Sequence, residues 1–104
     1  MLDIRNRWAL VTGSSRGVGL RVARALADKG CKIILHSRDL EGTRDLLAEL
    51  RSSGREAHSV AADLGSVPDI TRLIEEVREI TGDHLDILYN NAAIMTKYRP
   101  IFEP

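Results

Sequence analysis

Four short apolar runs alternate with three amphipathic segments of helical length, and that alternation leaves few folds open to the chain. The runs are Trp8-Ala9-Leu10-Val11, Lys32-Ile33-Ile34-Leu35-His36, Ala57 to Ala62, and Leu85-Asp86-Ile87-Leu88-Tyr89. The first two lack polar alternation, which suits strands covered on both faces. Strands are therefore predicted at 7–12, 32–36, 57–62 and 85–89, and helices at 18–29, 40–53 and from a Ser66 cap to about Thr81. The order βαβαβαβ implies a parallel sheet with helices on both faces and right-handed crossovers.

Each helix shows an apolar stripe and a stop. Val18, Val22, Ala25 and Leu26 share one face of the first, and Leu40, Leu47 and Leu50 line the second, with Thr43, Leu46 and Ala48 nearby. Ile70, Leu73, Ile74, Val77 and Ile80 mark the third. Gly30, Gly54 and Gly82 follow the three segments as C-terminal stops. Ser66-Val67-Pro68-Asp69 reads as a helix start, with a serine cap, proline in the first turn and a carboxylate three residues on.

Composition narrows function more than fold. Fifteen basic residues balance fifteen acidic ones without a block of either sign, so neither a nucleic-acid surface nor a polybasic membrane anchor is expected. No apolar run approaches a membrane span, and residues 1–7 do not read as a secretory signal. The single cysteine, Cys31, permits no intrachain disulfide, and a cytoplasmic setting is expected. His36, His58 and His84 lack metal-ligand spacing and read as structural or surface residues.

The loops that follow the strands carry the chemistry, because ligands of such sheets bind beyond the carboxyl ends of the strands. Thr12-Gly13-Ser14-Ser15-Arg16-Gly17-Val18-Gly19 joins the first strand to the first helix. A helix start offers unpaired N–H groups and the positive end of a dipole, which suit a phosphate. Gly13 takes the tight turn, Gly17 admits a pyrophosphate to the backbone, and Gly19 lets the helix pack closely. The plain structural alternative is a turn rich in small residues. The G-x-x-x-G-x-G spacing differs from G-x-G-x-x-G, and no Gly-Lys-Ser/Thr ending marks a P-loop.

The second strand ends at Ser37-Arg38. An arginine there neutralises a ribose 2′-phosphate, where a carboxylate would instead bind the free hydroxyls. Arg16 adds a second guanidinium suited to the same group. Asp39 is read as a cap of the second helix. Asp63 either accepts from an adenine amino group or serves the turn ahead of Gly65. Asn90-Asn91-Ala92-Ala93 closes the fourth strand, its asparagines able to bond both ways and its alanines leaving room beside a flat ligand.

Taken in order, Thr12-Gly13-x-x-x-Gly17-x-Gly19, Asp63-Leu64 and Asn90-Asn91-Ala92 resemble the short-chain dehydrogenase/reductase family over about residues 5–95. The resemblance implies a Rossmann-type three-layer α/β/α domain over 1–95, incomplete relative to the full family domain, with an irregular tail at 96–104. It implies a nicotinamide dinucleotide, with NADP(H) favoured over NAD(H) by Ser37, Arg38 and Arg16. The expected contact residues are Gly13, Ser15, Arg16, Gly17, Val18, Gly19, Ser37, Arg38, Asp63, Leu64, Asn91, Ala92 and Ala93. Asp63-Leu64 is expected to touch adenine, and Asn91-Ala92 to lie beside the ribose.

Two departures qualify the match. Ala93 stands where the family usually has glycine, and the family's serine and Tyr-x-x-x-Lys have no counterpart. Four residues after Tyr98 comes Phe102, and Lys97 precedes the tyrosine. The chain thus reads as the cofactor-binding half of a reductase, inactive alone. The alternatives are a non-catalytic dinucleotide-binding module, or an interaction protein recruiting a partner, a second copy included, along the open edge of the fourth strand.

Overall fold

The computed structural model describes residues 3–91. The expected contacts of Ala92 and Ala93, and the tail at 96–104, lie outside the described residues. The strands are β1 (Trp8–Thr12), β2 (Lys32–Ser37), β3 (Ala57–Ala61) and β4 (Ile87–Asn90). The helices are α1 (Gly17–Asp28), α2 (Arg44–Ser52) and α3 (Val67–Thr81), and a 3-10 turn at Leu40–Thr43 precedes α2. All pairings are parallel, in the order β3-β2-β1-β4. The chain runs outward from β1 to β3, then crosses back to place β4 on the other side of β1. The strand order therefore reverses at β1 and β4, and in open sheets of this kind the ligand crevice lies beyond the carboxyl ends of the strands at such a reversal.

Side chains alternate across the strands and build two cores. Ala9, Val11, Ile33, Leu35 and Ala57 pack with Ala23, Ala27, Leu46 and Leu50 of α1 and α2. Trp8, Leu10, Ile34, Val60 and Ala62 pack with Leu73 and Val77 of α3. This is the expected three-layer, Rossmann-type arrangement. Ile33, Ile34 and Leu35 are fully buried, and each contributes about 1.5–3 kcal/mol relative to exposure.

The helix faces differ from the expected stripes. In α1 the buried residues are Gly19, Ala23 and Ala27, while Val18 is 48% exposed and Ala25 lies in solvent. The smallest side chains bring the α1 axis close to the sheet, and Leu20, Val22 and Leu26 flank that line partly buried. The expected continuous helix at 40–53 begins instead as the 3-10 turn. Asp39 accepts a hydrogen bond from Gly42 N–H (3.0 Å), as a cap. Three residues per turn there rotate the following face, so Thr43, Leu46 and Leu50 are buried while Leu40 is exposed and Leu47 only half-buried. The expected α3 start holds, with Ser66 accepting from Asp69 N–H (3.3 Å).

β4 starts two residues later than predicted, because Asp86 leads the chain onto the sheet by its side chain. Its carboxylate accepts from Trp8 N–H (2.9 Å), and its own N–H donates to Trp8 O (3.1 Å). His84 Nε2 lies 2.7 Å and Arg7 Nη1 3.5 Å from the same carboxylate. On its other side β4 has no neighbouring strand among the described residues. Between β4 and α3 lies an apolar groove of about 800 Å³, lined by residues including Leu10, Leu73, Ile74, Val77, Leu85 and Leu88.

The Trp8 N–H, then the His84 and Arg7 charges, hold the Asp86 carboxyl below its ordinary value of 3.8. A depressed folded-state pKa stabilises the fold above 3.8, and that contribution is lost as pH falls through the lower folded value. Asp86→Asn is expected to flatten the acid limb of the urea-midpoint-against-pH curve while retaining an acceptor for Trp8. Asp86→Ala is expected to lower the midpoint at neutral pH as well, by leaving Trp8 N–H unmatched.

Candidate functional site

The glycine loop crosses the carboxyl end of β1. Gly13 and Gly17 adopt left-handed backbone, with φ of 63° and 64°. A Cβ on Gly17 would meet nothing within 4 Å, whereas one on Gly19 would lie 2.2 Å from the Gly13 carbonyl oxygen. Gly17 is thus bounded by open space, as a ligand-facing backbone requires, and Gly19 by the end of β1. Arg16 precedes α1 in extended backbone, and neither a side-chain cap nor an acidic residue serves the first turn of α1. The 3-10 turn and α3 are capped by Asp39 and Ser66, respectively. The uncapped start of α1 is therefore positioned to receive an anion.

Ser37 and Arg38 stand where β2 ends, beside the same loop. A Cβ on Gly42 would lie 2.8 Å from Ser37 Oγ and 3.2 Å from Ser15 Cβ, so these three residues converge. Ser37 Oγ donates to the Asp39 carbonyl, which folds the chain back toward the glycine loop. Arg38 is exposed. Among the described arginines only Arg16, Arg21 and Arg38 have no carboxylate or carbonyl partner. Arg16 and Arg38 both belong to the loops that border the crevice.

Asp63 fills the turn role: its Oδ1 accepts from Gly65 N–H (2.9 Å), and its second oxygen has no partner among the described residues. Its own N–H donates to Asp69 Oδ2 (2.8 Å), a brace that the Ser66-Val67-Pro68-Asp69 pattern does not signal. That N–H, and then Arg72 (Nη1 3.2 Å from Asp69 Oδ1), keep the Asp69 carboxyl below its ordinary range. Leu64 is half-buried against the α3 core. At the end of β4, Asn91 N–H donates to Thr12 Oγ1 (2.8 Å) and Asn91 Nδ2 to Gly13 O (3.3 Å). The Thr12 hydroxyl donates to Asn90 Oδ1 (3.0 Å). Asparagine therefore stitches β4 to the glycine loop.

The loops at 13–19, 37–39, 63–65 and 90–91 thus gather at one end of the sheet around an uncapped helix start and two unpartnered guanidinium groups. Such a site suits an elongated anion carrying more than one phosphate. Sequence reasoning passed over Ser14, which is fully buried and bonds to β2, because a serine in a glycine-rich loop carries no signal of its own.

A family model described as short chain dehydrogenase matches residues 7–103. The chain belongs to the short-chain dehydrogenase family. Tetrahydroxynaphthalene reductase of Pyricularia oryzae is 35% identical over 95 residues, a match covering 90% of this chain and 33% of that protein. The crystal structure of a metagenomic short-chain oxidoreductase in complex with NADP is 36% identical, with a TM-score of 0.80 over 88% of this chain and 41% of the other. L-sorbose reductase of Gluconobacter frateurii, solved with NADPH and L-sorbose, is 29% identical, with a TM-score of 0.81 over 99% of this chain and 40% of the other. The chain spans about a third of the length of the curated relatives it matches.

Two alanine substitutions separate the roles of the family's glycines here. Gly17→Ala is expected to destabilise by about 1–2 kcal/mol through its backbone angle alone. Gly19→Ala, which meets a carbonyl rather than a flexible side chain, is expected to cost about 1–3 kcal/mol and to displace the helix start. Urea unfolding measures the first effect. Amide chemical shifts of residues 13–20 are expected to move much further in Gly19→Ala than in Gly17→Ala.

Proposed function

We propose that this chain is the NADP(H)-binding portion of a short-chain dehydrogenase/reductase whose whole-protein reaction moves hydride between NADP(H) and a carbonyl or alcohol substrate. The observation that carries this reading is the unpartnered state of Arg16 and Arg38 in a molecule whose other described arginines, Arg21 excepted, are engaged. Two free guanidiniums at the adenosine end of the crevice favour a 2′-phosphorylated ribose over an unmodified one. Solved relatives complexed with NADP or NADPH accord with it.

In this reading the first-turn amides of α1 and the open backbone at Gly17 hold the pyrophosphate. Ser15 and Val18 border it, and Gly13 and Gly19 keep the loop in place. Ser37, Arg38 and Arg16 receive the 2′-phosphate. Asp63 and Leu64 meet the adenine, and Asn91, Ala92 and Ala93 border the ribose near the centre of the sheet. Bound there, the nicotinamide supplies or accepts the hydride. The chain has no Tyr-x-x-x-Lys to supply the proton, so its own contribution is binding and orientation. A cytoplasmic setting accords with the lone, buried Cys31, whose thiol pKa burial pushes up.

Calorimetric titration with NADPH and NADH tests the reading. NADPH is expected to bind more tightly than NADH. Arg38→Asp is expected to remove about 1.5–3 kcal/mol of NADPH binding, roughly ten- to a hundred-fold, while sparing NADH. A folded chain that binds neither dinucleotide would sink the proposal, and carbonyl-dependent NADPH oxidation by the chain would refute its inactivity.

The outer edge of β4 and the adjoining apolar groove support self-association as a second property of the chain. Light scattering across a dilution series is expected to show a concentration-dependent dimer, lost in Leu88→Lys. A monomer at every concentration would remove this reading.

A further inference from the structure

We propose that His36 is a positioning residue that ties together three of the loops bordering the crevice and so sets the geometry in which they meet the dinucleotide. This inference rests on the reading above. His36 is buried, 3% exposed, in the second-last position of β2. Gly13 N–H donates to its Nδ1 at 3.0 Å. Nδ1 therefore presents a lone pair, and the ring proton of the neutral imidazole sits on Nε2. That nitrogen lies 3.0 Å from the Ala62 carbonyl oxygen, to which it donates.

One ring thus bridges the first residue after β1 and the first residue after β3. The positions bridged matter. The β1/β2 ladder ends at Val11↔Leu35, and the β2/β3 ladder at Ser37↔Ala61. Gly13 opens the phosphate-facing loop, and Ala62 directly precedes Asp63-Leu64. Backbone bonds run on past both ladders, from Ser14 N–H to His36 O (2.9 Å) and from Ala62 N–H to Ser37 O (3.1 Å), and the imidazole adds a side-chain bond at each of these two ends.

The main chain of His36 adds a second clasp. Ser14 N–H donates to His36 O (2.9 Å), and His36 N–H donates to Ser14 Oγ (2.9 Å). The residue that follows, Ser37, and then Arg38, begin the loop assigned to the 2′-phosphate. A shift of this one side chain would move the glycine loop and the Asp63 turn together. A histidine that merely filled the core would couple neither. Two amide substitutions separate the bonds. In His36→Asn the side-chain oxygen takes the place of Nδ1 and keeps the Gly13 bond. In His36→Gln the longer amide takes the place of Nε2 and keeps the Ala62 bond.

The test measures NADPH and adenosine 2′,5′-bisphosphate affinity by calorimetry for the unaltered chain and for His36→Asn, His36→Gln and His36→Leu, each first shown to unfold cooperatively. His36→Asn is expected to lose about ten-fold for both probes, through the adenine side. His36→Gln is expected to lose about ten-fold for NADPH and less for the bisphosphate, which lacks the pyrophosphate bridge. His36→Leu is expected to lose both contributions. In the unaltered chain, ¹⁵N-resolved spectra are expected to show the Nε2–H tautomer, with ring signals that shift when the bisphosphate binds. Dinucleotide binding by the unaltered chain that all three variants retain, or ring signals unmoved by ligand, would overturn this inference alone. Failure of the unaltered chain to bind NADPH would overturn the reading of the site and this inference with it.

Discussion

The approach of α1 to the end of β1 is the contact on which the site depends. Only a residue without a Cβ can stand where Gly19 stands, because that carbon would lie 2.2 Å from the Gly13 oxygen. That closeness aims the start of α1 over the carboxyl ends of β1 and β4. Because no side chain caps that start, its polarity is directed outward into the crevice. Ala23 and Ala27 continue the same close line down the helix, so packing in the core and exposure of the first-turn amides follow from one run of small residues.

The charges around the crevice are arranged in a related way. Arg24 commits its guanidinium to Glu49, joining α1 to α2, and Arg72 joins Asp69 to the Ala61 carbonyl. Exposed pairs of this kind contribute little to stability, yet they occupy most of the described arginines. What remains free at the sheet's carboxyl edge is Arg16 and Arg38. Asp63 and Asp69 show the complementary arrangement: one carboxylate shapes the turn, and the other braces that turn from the first turn of α3.

Much of this was legible in the residues alone. The runs at β1 and β2 named their strands because buried parallel strands need no polar alternation, β3 and β4 followed from the alternation of short apolar runs with helical segments, and the three glycine-terminated segments named the helices. The glycine loop, Ser37-Arg38, Asp63-Leu64 and Asn90-Asn91 stand out as candidates because their chemistry and their place after strands coincide, and the structure sets all four at the carboxyl ends of the strands. Less legible were features set by packing between segments. The stripe through Val18 and Ala25 ranked residues by hydrophobicity, whereas close helix–sheet contact selects by size. The 3-10 turn before α2 is capped by Asp39 and leaves no room for a Cβ on Gly42 beside Ser15 and Ser37, a crowding that periodicity does not register. The two bonds of His36 span partners 23 and 26 residues away, and a lone histidine in an apolar run announces neither.

β1 and β4, the two strands at the reversal of strand order, are held with different support. β1 is enclosed by β2 and β4, while among the described residues β4 is held to the sheet along β1 alone and entered through the Asp86 carboxylate. Local opening of a fold begins where the fewest buried contacts must break. Of these two strands, β1 is paired along both edges and β4, among the described residues, along one, so opening is expected to start on the β4 side. Anything that bridges Gly13 and Asn91 from above also closes that seam, so occupancy of the crevice and amide protection of β4 are two readings of a single equilibrium.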